Sequence, residues 1–125
     1  MAAAFEAVFA ALKLVLAEYE SRMVLQSDSP VEYTLLTRSP SPFPQHKGHG
    51  MYFGSVRSGK AYVSFHLMPL YMNEKLSGTM SPELKQRMQG KTCFNFKKMP
   101  EPELVVELER LTAAGFKLWG EKKWL

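Results

Sequence analysis

Two short strand-like segments around a tight turn constrain this fold more than any other feature of the sequence. Residues 51–56 and 61–67 are rich in β-branched and aromatic side chains, and the sequence RSGK (57–60) lies between them. Two such segments joined by a short glycine-containing turn are typical of a β-hairpin. An antiparallel sheet is therefore the first part of the predicted fold.

Helical patterns lie before and after the hairpin. Apolar residues recur every three or four positions over residues 5–23, which predicts a long amphipathic helix. The sequence SPE opens a second helix, over residues 81–89, with a capping serine, a proline and an acidic residue, and Gly90 is its predicted stop. Pro100 and Pro102 open a last helix, in which Gly115 is predicted to mark either a close packing contact or the effective end.

Two further strands, at residues 31–37 and 92–96, complete the order α-β-β-β-α-β-α. A sheet containing a hairpin, with helices packed against it, predicts a two-layer α+β sandwich. We expect about four to five antiparallel strands with the helices on one face, in a single domain over residues 1–125. The proline-rich segment 39–50 is predicted to be a loop, which either covers the sheet or simply connects two strands.

Side chains alternate along the predicted strands and separate an apolar face from a polar one. If the apolar set packs against the helices, the opposite face displays a polar and aromatic set: Glu32, Thr34, Tyr62, Ser64, His66, Cys93, Asn95 and Lys97. Such a face is suited to binding a small ligand, a peptide or a protein surface. The alternative is the ordinary solvated face of an antiparallel sheet.

Positive charge is concentrated in the middle of the chain. Residues 38–98 contain ten Lys and Arg against two Glu, a charge of +8, whereas the whole chain has a net charge of +4. The bases near the hairpin and the second helix form a predicted basic rim: Arg57, Lys60, Lys85, Arg87 and Lys91. This asymmetry favours an anionic partner. A basic surface that only keeps the protein in solution is the alternative.

The sequence shows no motif of a nucleotide-binding loop or of a catalytic nucleophile. Gly90-Lys91-Thr92 is similar to the end of a P-loop, but position 85, where that motif needs glycine, is a lysine. The tripeptide also follows a predicted helix instead of opening one. Cys93 is the single cysteine and Asp28 the single aspartate, and neither has a context that indicates catalysis. We predict no catalytic residue.

Metal, nucleic acid and membrane are not favoured as partners. The histidines and Cys93 lack the spacing of a zinc site, and basic and aromatic residues occur without a nucleic-acid-binding motif. Glu6 and Lys13 interrupt the N-terminal apolar stretch, which therefore matches neither a signal peptide nor a membrane span. With one cysteine, a cytoplasmic protein is expected. Its oligomeric state stays open, with a dimer as one option, and no cofactor is indicated.

Two runs of sequence carry a family resemblance: YFGSVRSGKAYVSFHLMPLY (52–71) and SPELKQRMQGKTCFNFKK (81–98). They are similar to runs in the YdhG-like family of small, uncharacterised bacterial domains, over about residues 51–119. The resemblance implies a two-layer α+β fold. Some relatives are described as frataxin-like, which implies iron binding or delivery through an acidic ridge. In this chain Glu18 and Glu20 of the first helix, with His66 or Cys93, are the residues that such a site could use.

Three functional hypotheses follow. The first is a non-enzymatic binding module for an anionic small molecule or a protein partner. Its ligand-binding residues are Tyr62, Ser64, His66 and Asn95 on the sheet face and Arg57, Lys60, Lys85, Arg87 and Lys91 on the basic rim. The second is a frataxin-like protein that binds or delivers iron. The third, an enzyme with an unrecognised site near His66 and Tyr62, ranks last because the sequence shows no acid–base partner for His66.

Overall fold

An antiparallel sheet forms one layer of the molecule. The computed structural model describes residues 2–40, 50–72, 78–89 and 93–121. Its strands are β1 (Val24–Asp28), β2 (Glu32–Pro40), β3 (Gly50–Ser58), β4 (Val63–Leu67), β5 (Met88–Gln89) and β6 (Cys93–Phe96). Within the described residues these six strands form one sheet in the order β1-β2-β3-β4-β6-β5, and each neighbouring pair is antiparallel.

Helices form the second layer. The helical elements of the described residues are α1 (Ala2–Ala17), a 3-10 turn (Glu20–Arg22), α2 (Pro69–Met72), α3 (Pro82–Lys85) and α4 (Pro102–Glu121). The long helices α1 and α4 contact each other, and α1 lies across β3 and β4. The predicted two-layer α+β sandwich, with helices on one face of an antiparallel sheet, is confirmed.

The hydrophobic core lies between the two layers. In β4, Val63, Phe65 and Leu67 are completely buried, and the side chains between them are half-buried, which confirms the predicted alternation. Burial of an apolar side chain of this size contributes about 1.5–3 kcal/mol. The ring of Phe53 in β3 meets that of Trp119 in α4 edge to face, with ring centroids 5.6 Å apart. This contact packs the last helix against the sheet.

A β-bulge interrupts the pairing of β2 and β3. Gly54 pairs with Leu35, whereas Tyr52 pairs with the next residue of β2, so that Phe53 is the extra residue of the bulge. Phe53 and Gly54 both face the core. A Cβ atom on Gly54 would lie 2.8 Å from Cδ2 of Leu16 in α1. The absence of a side chain at this position therefore lets α1 approach the sheet closely.

The two long helices differ from their predicted bounds. The first was predicted to reach Met23, but α1 ends at Ala17. The chain continues into the 3-10 turn, where the amide of Met23 donates to the carbonyl of Glu20 and the Met23 side chain stays in the core. The apolar spacing thus continues beyond the α-helix. Gly115 does not end α4, which continues to Glu121, and of the two predicted roles its burial favours the close packing contact.

The helix α3 is shorter than predicted. Ser81 caps it as expected, because its Oγ accepts a hydrogen bond from the amide of Leu84 at 3.2 Å. The helix ends at Lys85 instead of continuing to residue 89. The reason is sheet pairing: the carbonyl of Arg87 accepts a hydrogen bond of 2.8 Å from the amide of Asn95, and the next two residues form β5.

Strand β1 is absent from the prediction, which has no element between the helix end at residue 23 and the strand that begins at residue 31. It is an edge strand with mostly exposed side chains, so it lacks the alternation by which a strand is recognised in sequence. The ends of the predicted loop 39–50 belong to β2 and β3. Residues 41–49 and the predicted helix stop at Gly90 lie outside the described residues.

Candidate functional site

The face of the sheet opposite the helices, called the open face below, brings polar residues of neighbouring strands into register. Arg57 in β3 lies opposite Ser64 in β4, and Ser64 lies opposite Asn95 in β6. In the next row, His66 in β4 lies opposite Cys93 in β6. Directly opposed residues of antiparallel strands have side chains close enough to interact. The predicted polar set is therefore partly assembled into one surface.

These residues line a groove of about 570 Å³, called the polar groove below. Its volume lies within the ~300–1,000 Å³ that small-molecule sites commonly have. The lining residues are Arg57, Gly59, Lys60, Ala61, Tyr62, Ser64, His66, Cys93 and Asn95. Six of the nine predicted ligand-binding residues are among them.

Asn95 is the centre of the hydrogen bonds in the polar groove. Its Oδ1 accepts a hydrogen bond from Ser64 Oγ at 3.0 Å and a weaker one from Cys93 Sγ at 3.3 Å. Since Ser64 has only one hydroxyl proton and donates it to Asn95, its remaining hydrogen-bonding capacity is that of an acceptor. Ser64 thus contributes rigidity to the groove, and an anion must be bound by other groups.

His66 is a neutral group at the middle of the open face. Partial burial is the main cause that lowers the pKa of its imidazole, and the nearby positive charge of Arg57 lowers it further. A neutral imidazole has one hydrogen-bond donor and one acceptor. At neutral pH, His66 can therefore hydrogen-bond a ligand without adding charge.

Cys93 does not resemble a reactive thiol. Burial raises the pKa of its thiol, and the hydroxyl of Ser64 lowers it by a smaller amount. Nucleophilic cysteines have a lowered pKa, commonly from an adjacent imidazolium or helix N-terminus. Next to a neutral His66, Cys93 is instead a small, weakly polar part of the groove wall.

Arg57 is fixed in place by Glu32 on the neighbouring strand β2. Nε and Nη2 of Arg57 donate to the same carboxylate oxygen of Glu32, at 3.0 and 2.6 Å. The hydrogen bond from Arg57 is the main cause that lowers the pKa of the Glu32 carboxyl, and one from Ser27 adds to it. Among the described residues, Nη1 of Arg57 has no partner and is the part of the guanidinium available to a ligand.

Lys60 supplies the second positive charge of the polar groove. It lies in the turn between β3 and β4, and it is exposed. Its ammonium makes no ion pair or hydrogen bond with any other residue of the described ranges. Lys60 and Arg57 are thus the two cations that line the polar groove.

The other three residues of the predicted basic rim do not line the groove. Lys85 is exposed on α3, and Arg87 is half-buried at the edge of the sheet, where only its backbone is bonded to Asn95. Lys91 lies outside the described residues. The interpretation of these residues as one rim depended on a longer helix, which the structure does not have.

A second hollow on the open face was not predicted. It has a volume of about 230 Å³ and is called the bulge depression below. Its lining residues are Glu32, Thr34, Tyr52, Phe53, Gly54, Ser55, Arg57, His66 and Met68. Thr34 was expected to be displayed on the face, but it is only 4% exposed and lies at the bottom. Gly54 inside the predicted strand 51–56 is a sequence signal for such a bulge, which the prediction did not use.

A larger cavity adjoins the polar groove and shares Gly59 and Lys60 with it. It measures about 820 Å³ and lies between the first half of α1 and the two turns that join β1 to β2 and β3 to β4. Its walls are mainly apolar, with Phe5, Phe9 and Val31 among them. The Lys13 ammonium and the Asp28 carboxylate on its rim pair with each other at 2.8 Å. A binding site needs convergent polar groups as well as volume, and the polar groove has both, so we take it as the stronger candidate.

Of the residues named for an iron site, His66 and Cys93 line the polar groove together, but Glu18 and Glu20 do not line it. Tyr33 donates its hydroxyl to Glu20 Oε1 at 2.6 Å, and burial and this carboxylate raise the pKa of Tyr33. Within the described ranges, no group of three or more His, Cys, Asp and Glu side chains could hold a metal ion. The metal hypothesis therefore depends on the family resemblance alone.

Among the described helices, none combines the length and the apolar character that crossing a bilayer requires.

Comparison with protein-family models, with curated proteins and with solved structures found no match for this chain. The YdhG-like resemblance stays a prediction, and the evidence on function is the geometry of the site.

Proposed function

We propose that the protein is a non-enzymatic binding module that holds an anionic small molecule in the polar groove. The observation that carries the proposal is that Arg57 and Lys60 line the same groove as Tyr62, Ser64 and His66. Charge-assisted hydrogen bonds from a guanidinium and an ammonium are the strongest that a carboxylate or phosphate commonly receives. The neutral polar groups beside them would orient the rest of the ligand.

The protonation states of the groove support binding more than catalysis. The lowered pKa of His66 and the raised pKa of Cys93 disfavour a thiolate–imidazolium pair. Each group is neutral at pH 7, so the positive charge of the groove comes from Arg57 and Lys60 alone. The groove is thus suited to recognising charge, and its one thiol, Cys93, is not activated as a nucleophile.

Titration with inorganic phosphate, followed by amide chemical shifts in NMR spectra, tests this proposal. We expect saturable shifts concentrated at the turn that contains Lys60 and at the groove strands β4 and β6. The Lys60→Glu variant should weaken phosphate binding by about five- to tenfold, because it removes one charge-assisted bond and adds a repulsive charge.

The matched control is Lys98→Glu. Lys98 is exposed, follows β6 and does not line the groove, yet its substitution changes the net charge equally. The affinity of the Lys98→Glu variant for phosphate should stay within about twofold of that of the wild type. Equal weakening in both variants would show a nonspecific response to net charge, and wild-type affinity in Lys60→Glu would exclude the polar groove.

A further inference from the structure

The bulge depression arises directly from the extra residue in β3. Tyr52 and Ser55 both point to the open face, but Phe53 and Gly54 between them both face the core. In a regular strand, successive side chains on one face are two residues apart. Here they are three apart, so the backbone between them is left uncovered and forms the floor of a hollow.

The walls of this hollow are suited to a flat apolar group. Tyr52 is 53% exposed, and Met68, which is partly buried against the core, also lines the hollow. Aromatic rings and methionine sulfur both make favourable contacts with a planar ring. A volume of about 230 Å³ is below the ~300 Å³ at which whole small-molecule sites begin. The hollow therefore fits one part of a ligand.

Arg57 and His66 join this hollow to the polar groove, because both residues line both spaces. Glu32 holds the Arg57 guanidinium at the boundary. A guanidinium can stack on a ring with its plane while its edge binds an anion. A ligand with a ring on one side of Arg57 and an anionic group on the other would use both properties.

We propose that the bulge depression is the second subsite of the polar groove, and that the ligand class is an aromatic anion, a planar ring bearing a carboxylate or phosphate. This inference rests on the proposed function and adds to it the chemical class of the ligand. The ring lies against Tyr52 and Met68, and the anionic group lies between Arg57 and Lys60.

Four probes separate the two parts of the ligand: 2-naphthoate, acetate, 2-naphthylmethanol and inorganic phosphate. Each is titrated into protein with ¹³C-labelled methionine methyl groups. We expect 2-naphthoate to bind about tenfold more tightly than acetate and to shift the Met68 methyl signal, which phosphate and acetate leave in place. 2-Naphthylmethanol should bind more weakly than 2-naphthoate, because it lacks the charge.

The Tyr52→Ala variant should bind 2-naphthoate about fivefold or more weakly and bind phosphate as tightly as the wild type. The Tyr52→Phe variant, which keeps an aromatic ring, should bind 2-naphthoate with wild-type affinity. Val106→Ala on the exposed face of α4 is the control for loss of an exposed apolar side chain. Equal affinities for 2-naphthoate and acetate, or an unaltered Tyr52→Ala variant, would overturn the second subsite while phosphate binding upholds the anion site. Failure of every anion to bind would overturn the proposed function itself.

Discussion

At the scale of single residues, the partner of Arg57 is Glu32, which would compete with the anion proposed for the groove. Glu32 orients its guanidinium through two hydrogen bonds to one oxygen, but it also neutralises most of the charge that an anion would meet. The pair is largely exposed on the arginine side, and exposed ion pairs contribute only about 0–1 kcal/mol to stability. The effect of Glu32 on ligand affinity should therefore exceed its effect on folding.

The Glu32→Gln variant tests this balance. An amide can still accept a hydrogen bond from Arg57 but no longer cancels its charge, so phosphate affinity should rise by about two- to fivefold at low salt. Calorimetric titration measures the change. Glu83→Gln is the matched control, because Glu83 is exposed on α3 and does not line the groove. A loss of affinity in Glu32→Gln would show that orientation of Arg57 matters more than its net charge.

His66 should make stability depend on pH. Burial and Arg57 lower the pKa of the folded-state imidazole, whereas the unfolded chain has a histidine pKa of about 6.5. As the pH falls below that value, the unfolded chain binds a proton that the folded protein does not, so stability decreases until the folded-state pKa is passed. Above that range the contribution of His66 is constant.

The measurement compares urea unfolding of wild type and His66→Gln between pH 7.5 and 5.5. The stability of the wild type should fall more steeply as the pH is lowered, and the difference between the two proteins isolates His66 from the other histidines. Parallel pH profiles would contradict the burial of a neutral imidazole on this face.

At the scale of secondary-structure elements, α1 approaches the sheet closely at the bulge. Gly54 lies under Leu16 of α1, and a Cβ there would also be 3.1 Å from the carbonyl oxygen of His66. A backbone atom cannot move aside as easily as a side chain. The bulge therefore determines both the seating of α1 on one face and the shape of a hollow on the other.

The Gly54→Ala variant should lose about 1–3 kcal/mol of stability through this overpacking. Leu16→Ala alone should cost about 2–5 kcal/mol, since Leu16 is fully buried. The double variant should be more stable than the sum of the two losses predicts, because the shortened Leu16 leaves room for the new methyl group. Urea unfolding of the four proteins gives the coupling energy, and strict additivity would exclude a direct contact.

The elements differ in how far their sequences predict them. The strand β4 could be predicted because it is buried on one face only, so its alternation is complete. The helices α1 and α4 could be predicted because the residues that each packs into the core recur every three or four positions. The strand β1 and the end of α3 could not be predicted, because hydrogen bonds to a neighbouring strand define them and their own residue patterns do not. In each of these cases tertiary pairing overrides local preference.

At the scale of the whole molecule, one continuous core joins all long elements. Buried residues of α1, the sheet and α4 form a single cluster. A domain of this size with one core commonly unfolds in one cooperative step.

The dependence on long-range packing also limits what the sequence predicts about the site. The residues of the polar face could be predicted from strand alternation, but the side-chain pairs that they form could not. The pairing of Glu32 with Arg57 joins two strands whose register no local pattern specifies.

We therefore expect far-UV and near-UV circular dichroism to report one coincident urea transition. Leu108→Ala should shift both signals together and cost about 2–5 kcal/mol, because Leu108 is fully buried in α4. Val106→Ala, on the same helix with a side chain 62% exposed, should change stability by no more than about 0.5 kcal/mol. Separate transitions for the two signals would show that part of the fold melts independently.

The strict alternation of β4 has a consequence for how such a surface can be changed. Ser64 and His66 stand between fully buried residues, yet their own side chains contribute little to the core. Substitutions on the open face can therefore alter what is bound while the packing of the opposite face is kept. The same framework can acquire a new specificity one residue at a time, by mutation or by design, without first being restabilised.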